Sequence, residues 1–231
     1  MNYGYQPTDE STRLELSQGD EPDRYCAQLY HAVASAIDLN GLDVLEVGSG
    51  RGGGASFVKQ YLSPAKMTGV DFSKNAVSLC NERYAEPGLQ FVHGDAETLP
   101  FDDATFDAVV NVESSHCYGS TEKFFSEVAR VLKPGGHFLF ADFRSITDVD
   151  ALNDQLESNG LEAIDVEDIT ANVLAAMKSD SERKQSLIGK HIAKWLMGTF
   201  RQFAGLEGTQ VYDSFRSREM VYLRYCLRKR A

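Results

Sequence analysis

The chain has 231 residues, 42% hydrophobic and 25% charged, which suits a single domain with a full core. A net charge of −11 excludes the basic footprint that a nucleic acid partner requires. No apolar run approaches the roughly 20 residues that span a bilayer, and the polar residues 1–10 carry no signal-peptide pattern, so a cytoplasmic protein is expected.

Residues 1–20 read as a polar tail, in which Tyr3 and Tyr5 flank Gly4 and could fold over a bound ligand. Residues 22–38 read as a helix, with Tyr25, Leu29, Val33 and Ala36 along one face. A buried strand over 43–47 then runs into a glycine turn, Gly48-Ser49-Gly50-Arg51-Gly52-Gly53-Gly54, and a helix to about Leu62. Glycines let a ligand lie against the main chain, and the amides opening the next helix face it. Taken alone, Gly48, Gly50 and Gly53 match the dinucleotide pattern G-x-G-x-x-G, with Asp71 placed to meet a ribose diol. From this segment a nicotinamide or flavin enzyme and a methyltransferase are both open.

Further strands are predicted over 67–71, 89–93, 106–112 and 137–142, with helices over 73–84 and 121–132, the latter ended by Lys133-Pro134-Gly135-Gly136. Alternating strand and helix means right-handed βαβ units and a parallel sheet. Beyond residue 142 the pattern changes. Residues 161–169 and 220–227 read as strands pairing as an antiparallel edge, around a mostly helical insertion over 171–204. Trp195 and Phe200 there could line a pocket or belong to a core stripe. Residues 228–230, Arg-Lys-Arg, read as a solvated tail. The cysteines Cys26, Cys80, Cys117 and Cys226 show no C-x-x-C spacing, so free thiols are expected and a structural zinc site is not.

In open α/β sheets ligands bind beyond the carboxyl ends of the strands. Each predicted tip is polar: the glycine loop, Asp71, Asp95, then Asn111 with Glu113 and His116, and Asp142. The ordered set Glu46-Val47-Gly48-Ser49-Gly50-Arg51-Gly52, Gly69-Val70-Asp71-Phe72-Ser73, Gly94-Asp95-Ala96-Glu97, Leu99-Pro100-Phe101, Phe106-Asp107-Ala108-Val109-Val110 and Leu132-Lys133-Pro134-Gly135-Gly136 resembles the class I S-adenosylmethionine-dependent methyltransferases. The match is strong over about residues 40–143 and weak at the ends. Residues 111–118 resemble small-molecule O-methyltransferases of natural products, the phthiotriolone methyltransferase-like lipid enzymes and the sugar O-methyltransferases.

The resemblance implies an α/β, Rossmann-like single domain over 1–231. Its mostly parallel seven-stranded sheet would have helices on both faces and a helical insertion before the last strand. Residues 1–20 would serve as a lid and residues 171–204 as a substrate cover. It implies S-adenosylmethionine as cofactor, with the methionine end on Gly48, Ser49 and Gly50. Asp71 would accept from the ribose hydroxyls, Phe72 would lie on the adenine, and Asp95 with the Ala96 amide would meet its edge. Asn111 would hold the amino acid end. Glu46 would fix the loop or meet the amino group through water, and an acid there would repel a pyrophosphate. Tyr5 is the lid's candidate cofactor contact.

Methyl transfer to a hydroxyl needs aligned partners and a base. His116 is the candidate, paired with Asp142 because strands four and five are neighbours in this fold. No carboxylate set demands a metal. The expected partner is a small-molecule acceptor, a polyketide, glycoside or lipid, with no nucleic acid and no membrane span, in a monomer or homodimer. Two rivals stand beside O-transfer: a C- or N-methyltransferase, for which the base is dispensable, and a cofactor-binding member that no longer methylates.

Overall fold

The computed structural model describes residues 2–9, 14–191 and 194–230. The expectations for the remaining residues, including Ile192 of the helical insertion and part of the 1–20 segment, lie outside the described residues. Seven strands form one sheet: β1 (Asp43–Val47), β2 (Lys66–Asp71), β3 (Leu89–His93), β4 (Phe106–Val112), β5 (Leu132–Ser145), β6 (Leu161–Asp168) and β7 (Met220–Lys229). Their order is β3-β2-β1-β4-β5-β7-β6. The first five are parallel to one another, and β7 runs antiparallel to both β5 and β6. The chain leaves β1 toward β3 and returns to β4 on the other side. That reversal opens a crevice between β1 and β4 at their carboxyl ends.

Period-two alternation decides which helices meet which face. Val44, Ala108, Val110 and Leu139 point to one side, where α1 (Arg24–Ala34), α2 (Gly53–Leu62), α3 (Lys74–Arg83), α6 (Thr170–Ser179) and α9 (Gln210–Arg216) supply Leu29, Val58, Val77, Val173 and Phe215. Leu45, Val109, Phe138 and Phe140 point to the other, against Phe124 and Val128 of α4 (Thr121–Val131) and Leu152 and Leu156 of α5 (Val149–Ser158). Among the described residues no helix is long and apolar enough to cross a membrane.

Several expectations are corrected. The first helix ends at Ala34 rather than residue 38, after a 3-10 turn at Glu21–Asp23. Residues 133–136 lie within β5, which begins at Leu132, with Gly135 at φ +77° and a slip in register between Phe106 and Ala108. Helix α5 had a readable signal, Val149, Leu152 and Leu156 at i, i+3, i+7, and α9 lies just past the expected insertion. The insertion itself breaks into α6, α7 (Ser181–His191), a 3-10 turn at Lys194–Leu196 and α8 (Met197–Phe203). Residues 228–230 are no loose tail. Arg228 pairs with Glu162, Arg230 pairs with Glu157, and the Lys229 ammonium donates to the Leu132 carbonyl at 2.7 Å.

Candidate active site

The glycine loop is sewn to β2. The amides of Gly48 and Ser49 donate to the Val70 carbonyl at 2.9 and 3.0 Å, and the Gly50 amide donates to Asp71 Oδ2 at 2.7 Å. Gly48 sits at φ +78°, and a Cβ there would lie 2.4 Å from Ser114 Oγ, so both strain and space require glycine. At Gly50, by contrast, a Cβ would meet nothing within 4 Å, which leaves its face open to a ligand. Asp71 accepts a second bond from the Ser73 amide at 2.8 Å and, half-buried, retains acceptor capacity on both oxygens. Next to it Phe72 is 73% exposed, a bare ring at the tip of β2. Asp95 follows at the tip of β3, exposed, with Oδ1 accepting from the Glu97 amide at 2.9 Å, and Ala96 is half-buried beside it.

Beneath the loop lie three buried polar atoms without a hydrogen-bond partner: Glu46 Oε2, Ser49 Oγ and Asn111 Oδ1. Glu46 and Asn111 are both 0% exposed. Asn111 spends its amide donors on the Val47 carbonyl at 2.9 Å and on Ser114 Oγ at 2.7 Å, leaving only its oxygen. Glu46 Oε1 accepts from the Tyr30 hydroxyl. Burial pushes the Glu46 carboxyl up to about 7, against the lowering effect of the Tyr30 bond. Two orphaned acceptors at adjacent strand tips leave a site for a group that donates hydrogen bonds and carries positive charge. The amino end of S-adenosylmethionine has that chemistry, and the exposed ring and acids at the tips of β2 and β3 suit its nucleoside end.

On the other side of Asn111, a 3-10 turn at Ser115–Cys117 brings His116 against Asp142 of β5, a strand that runs on to Ser145 rather than ending at Asp142 as expected. Its Nδ1 lies 2.8 Å from Asp142 Oδ1, and its amide donates to Asp142 Oδ2 at 3.0 Å. Asp142 is 1% exposed and accepts from Ser115 Oγ at 2.6 Å, with the Arg144 guanidinium 3.3 Å away. Burial alone would raise its carboxyl. The bond and charge of His116, the charge of Arg144 and the Ser115 bond together hold it below the usual carboxylate range. The His116 side chain is 27% exposed and opens on a cavity of about 130 Å³ lined by Asn2, Tyr3, Glu113, His116, Cys117, Phe143, Lys184, Phe203 and Ala204.

The structure therefore draws Glu46, Gly48, Ser49, Gly50, Asp71 and Asn111 around one loop, with Phe72, Asp95 and Ala96 along the next tips and His116 in contact with Asp142. It does not bring Tyr5 to this group. Gly4, at φ +92°, turns the chain between the two tyrosines, so Tyr5 faces the charges of Glu167 and Arg224. Tyr3 is the one at the cavity, its amide donating to Glu113 Oε2 at 2.9 Å. Nor do Trp195 and Phe200 form a core stripe, being 82% and 40% exposed.

Sequence reading passed over Tyr30, Arg144 and Lys184, and gave Glu113 no role. Glu113 had a signal, its place at a strand tip. In the fold it adopts φ +52°, accepts from Tyr222 at 3.0 Å as well as from Tyr3, and burial pushes its carboxyl up to about 7. Lys184, 6% exposed, lies 3.6 Å from Asp180, which Arg183 already grips through two contacts.

Residues 45–140 match a family described as a methyltransferase domain. Over 229 residues, 99% of this chain and 84% of the relative, the chain is 41% identical to the phthiotriol/phenolphthiotriol dimycocerosates methyltransferase of Mycobacterium tuberculosis (strain ATCC 25618 / H37Rv). It is 39% identical, over its whole length and 83% of the relative, to the fatty-acid O-methyltransferase of Mycolicibacterium smegmatis (strain ATCC 700084 / mc(2)155). A solved structure of geranyl diphosphate methyltransferase in complex with S-adenosylmethionine superposes with a TM-score of 0.69 over 99% of this chain and 98% of that one, at 18% identity, a likeness of fold. With the glycine loop, the strand order and these relatives in agreement, the chain belongs to the class I S-adenosylmethionine-dependent methyltransferases, and S-adenosylmethionine is its cofactor.

Proposed function

We propose that the enzyme methylates a hydroxyl oxygen on a small lipidic acceptor, with His116 as general base and Asp142 as its partner. The observation that carries this is the 2.8 Å contact between His116 Nδ1 and Asp142 Oδ1 at the wall of a cavity. With Nδ1–H donated to the carboxylate, Nε2 is left as an acceptor. Asp142 stays ionised and steadies the imidazolium that forms when Nε2 takes the hydroxyl proton. Ser115, Arg144 and the Phe143 amide hold Asp142 in place.

Bound S-adenosylmethionine supplies an electrophilic methyl group on a sulfonium sulfur. Gly48, Ser49 and Gly50 would hold its methionine end, with Glu46 and Asn111 accepting from the amino group. Asp71 would accept from the ribose hydroxyls, and Phe72, Asp95 and Ala96 would receive the adenine. The lipidic reading draws on the relatives whose names are a phthiotriol methyltransferase and a fatty-acid O-methyltransferase, and on a cavity that mixes Tyr3, Phe143 and Phe203 with a few polar groups. Two cavity walls come from the segment ahead of α1 and from α7 and α8, the parts proposed as lid and cover.

The test is His116→Ala in a screen of lipid and natural-product acceptors with labelled methyl donor. Loss of a general base lowers kcat by about 10²–10⁴-fold, while the affinity for S-adenosylhomocysteine stays within about twofold, as for a group that acts only in the transition state. Full turnover by the variant on the identified acceptor would remove His116 as base and favour C- or N-transfer.

A further inference from the structure

The charge of this protein is unevenly placed. The whole chain carries −11, yet residues 171–204 hold Lys178, Arg183, Lys184, Lys190, Lys194 and Arg201 against only Asp180 and Glu182. Asp180, 2% exposed, pairs with Arg183 and with the buried Lys184, and Arg183 also meets Asp23, so those two cations add little to the outer charge. Lys178 and Arg201 are exposed, with no ion-pair partner among the described residues.

Three aromatic rings leave the same segment for solvent. Trp195 is 82% exposed, Phe203 69% and Phe200 40%. Phe200 and Phe203 are three apart on α8 and so share a face. Met197, one turn before Phe200, anchors the start of that helix, packed against Ile188, Ala204 and Leu206. The rings are therefore outside a core that is already filled. Phe203 also lines the His116 cavity, so this apolar surface and the cavity share a rim.

We propose that the 3-10 turn at Lys194–Leu196 together with α8 docks on an anionic lipid bilayer, setting the mouth of the catalytic cavity against the membrane. Tryptophan and phenylalanine settle at the headgroup boundary, where a ring keeps one side apolar. A basic surplus is drawn to anionic headgroups and would be useless against a neutral surface. The rest of the chain, strongly acidic, is repelled by the same headgroups, which orients the molecule with this segment down. An acceptor dissolved in the bilayer then enters past Phe203 without crossing water.

Trp195 is the only tryptophan in the chain, so intrinsic fluorescence reports on this surface alone. The full chain is titrated with vesicles of equal parts phosphatidylcholine and phosphatidylglycerol, and with vesicles of phosphatidylcholine only. The expected result on the mixed vesicles is a blue shift, quenching by brominated acyl chains and co-sedimentation, with binding at least about tenfold weaker on the neutral vesicles and weakened again by salt. Arg201→Glu and Phe200→Ser each reduce vesicle binding several-fold while circular dichroism and S-adenosylhomocysteine affinity are kept. An unshifted, unquenched Trp195 on mixed vesicles overturns the proposal. So does equal binding to both vesicles that is indifferent to Arg201→Glu. A shift caused by S-adenosylhomocysteine without lipid, and by no vesicle, overturns it in favour of a cover that closes on the protein itself. The titration needs neither acceptor nor turnover, so its outcome is separate from the O-transfer reading.

Discussion

Asp71 performs two tasks with one carboxylate. It fixes the glycine loop through the Gly50 amide and the turn into α3 through the Ser73 amide, and it faces the ribose in the proposed binding mode. Asp71→Ala should weaken S-adenosylhomocysteine binding by about 1–3 kcal/mol, the cost of an acceptor lost from a buried pair of donors. Asp71→Asn retains one acceptor oxygen and should fall between the variant and the parent. Calorimetry that returns the parent affinity for both would take Asp71 out of the cofactor site. Glu46 works differently. It lies too deep to be reached by solvent, so its charge state depends on what donates to Oε2.

At the scale of elements, the approach of α2 to α1 decides whether the acid at Glu46 has a partner. Tyr30 of α1 reaches Glu46 across Gly54 of α2, and a Cβ at Gly54 would lie 2.0 Å from the Tyr30 ring. Gly54→Ala must push that ring aside or move the helix, so it should cost about 1–3 kcal/mol, in the range of overpacked cores. At Gly53, one residue earlier on the same helix, an added Cβ would meet nothing within 4 Å. Gly53→Ala should be neutral or stabilise by about 0.4–1 kcal/mol through the unfolded chain. Denaturant melts of the two variants make the comparison, and equal losses would show that Gly54 is not a close-approach glycine. The segment ahead of α1 is likewise tied to elements rather than loose. The Tyr5 amide donates to the Tyr25 carbonyl, the Gln6 amide to the Asn172 carbonyl, and Gln28 to the Tyr5 carbonyl. These bonds hold Tyr3 over the cavity by way of α1 and α6.

For the whole molecule, two raised carboxyls set the pH response. Glu46 and Glu113 each rise from 4.5 to about 7 in the fold. Between those values the native state keeps protons that the unfolded chain releases, so stability falls as pH climbs through about 4.5–7 and levels above it. Each group contributes a slope of up to about 1.4 kcal/mol per pH unit within that window. Asp142 acts in the opposite sense. Its lowered carboxyl stabilises the fold above 3.8, and that contribution is lost as pH falls further. Without cofactor, Tm should therefore be higher near pH 5 than near pH 8. The double variant Glu46→Gln, Glu113→Gln should flatten the difference, and a parent whose Tm rises steadily from pH 5 to 8 would contradict the burial of both acids.

The sequence by itself determined the parts that depend on neighbours along the chain. Strand alternation assigns Val44 and Leu45 to opposite faces before any helix is placed, and the glycine loop, Asp71 and Asp95 are each short local patterns at strand tips. The parallel order of five strands follows from connection rules, with β7 alone reversed between β5 and β6, and it brings His116 and Asp142 to the same end of neighbouring strands. What local pattern cannot carry is the choice of partner across the fold. Tyr30 meets Glu46 over 16 residues, Tyr3 meets Glu113 over 110, and Tyr222 meets Glu113 over 109. Periodicity states which side of an element is buried, and is silent on which element buries it. The tertiary structure alone turned Tyr5 away at Gly4, left Trp195 in solvent instead of in a stripe, and placed Lys184 in the cavity. How helices divide the two faces of one sheet is a competition for apolar area that no single segment records.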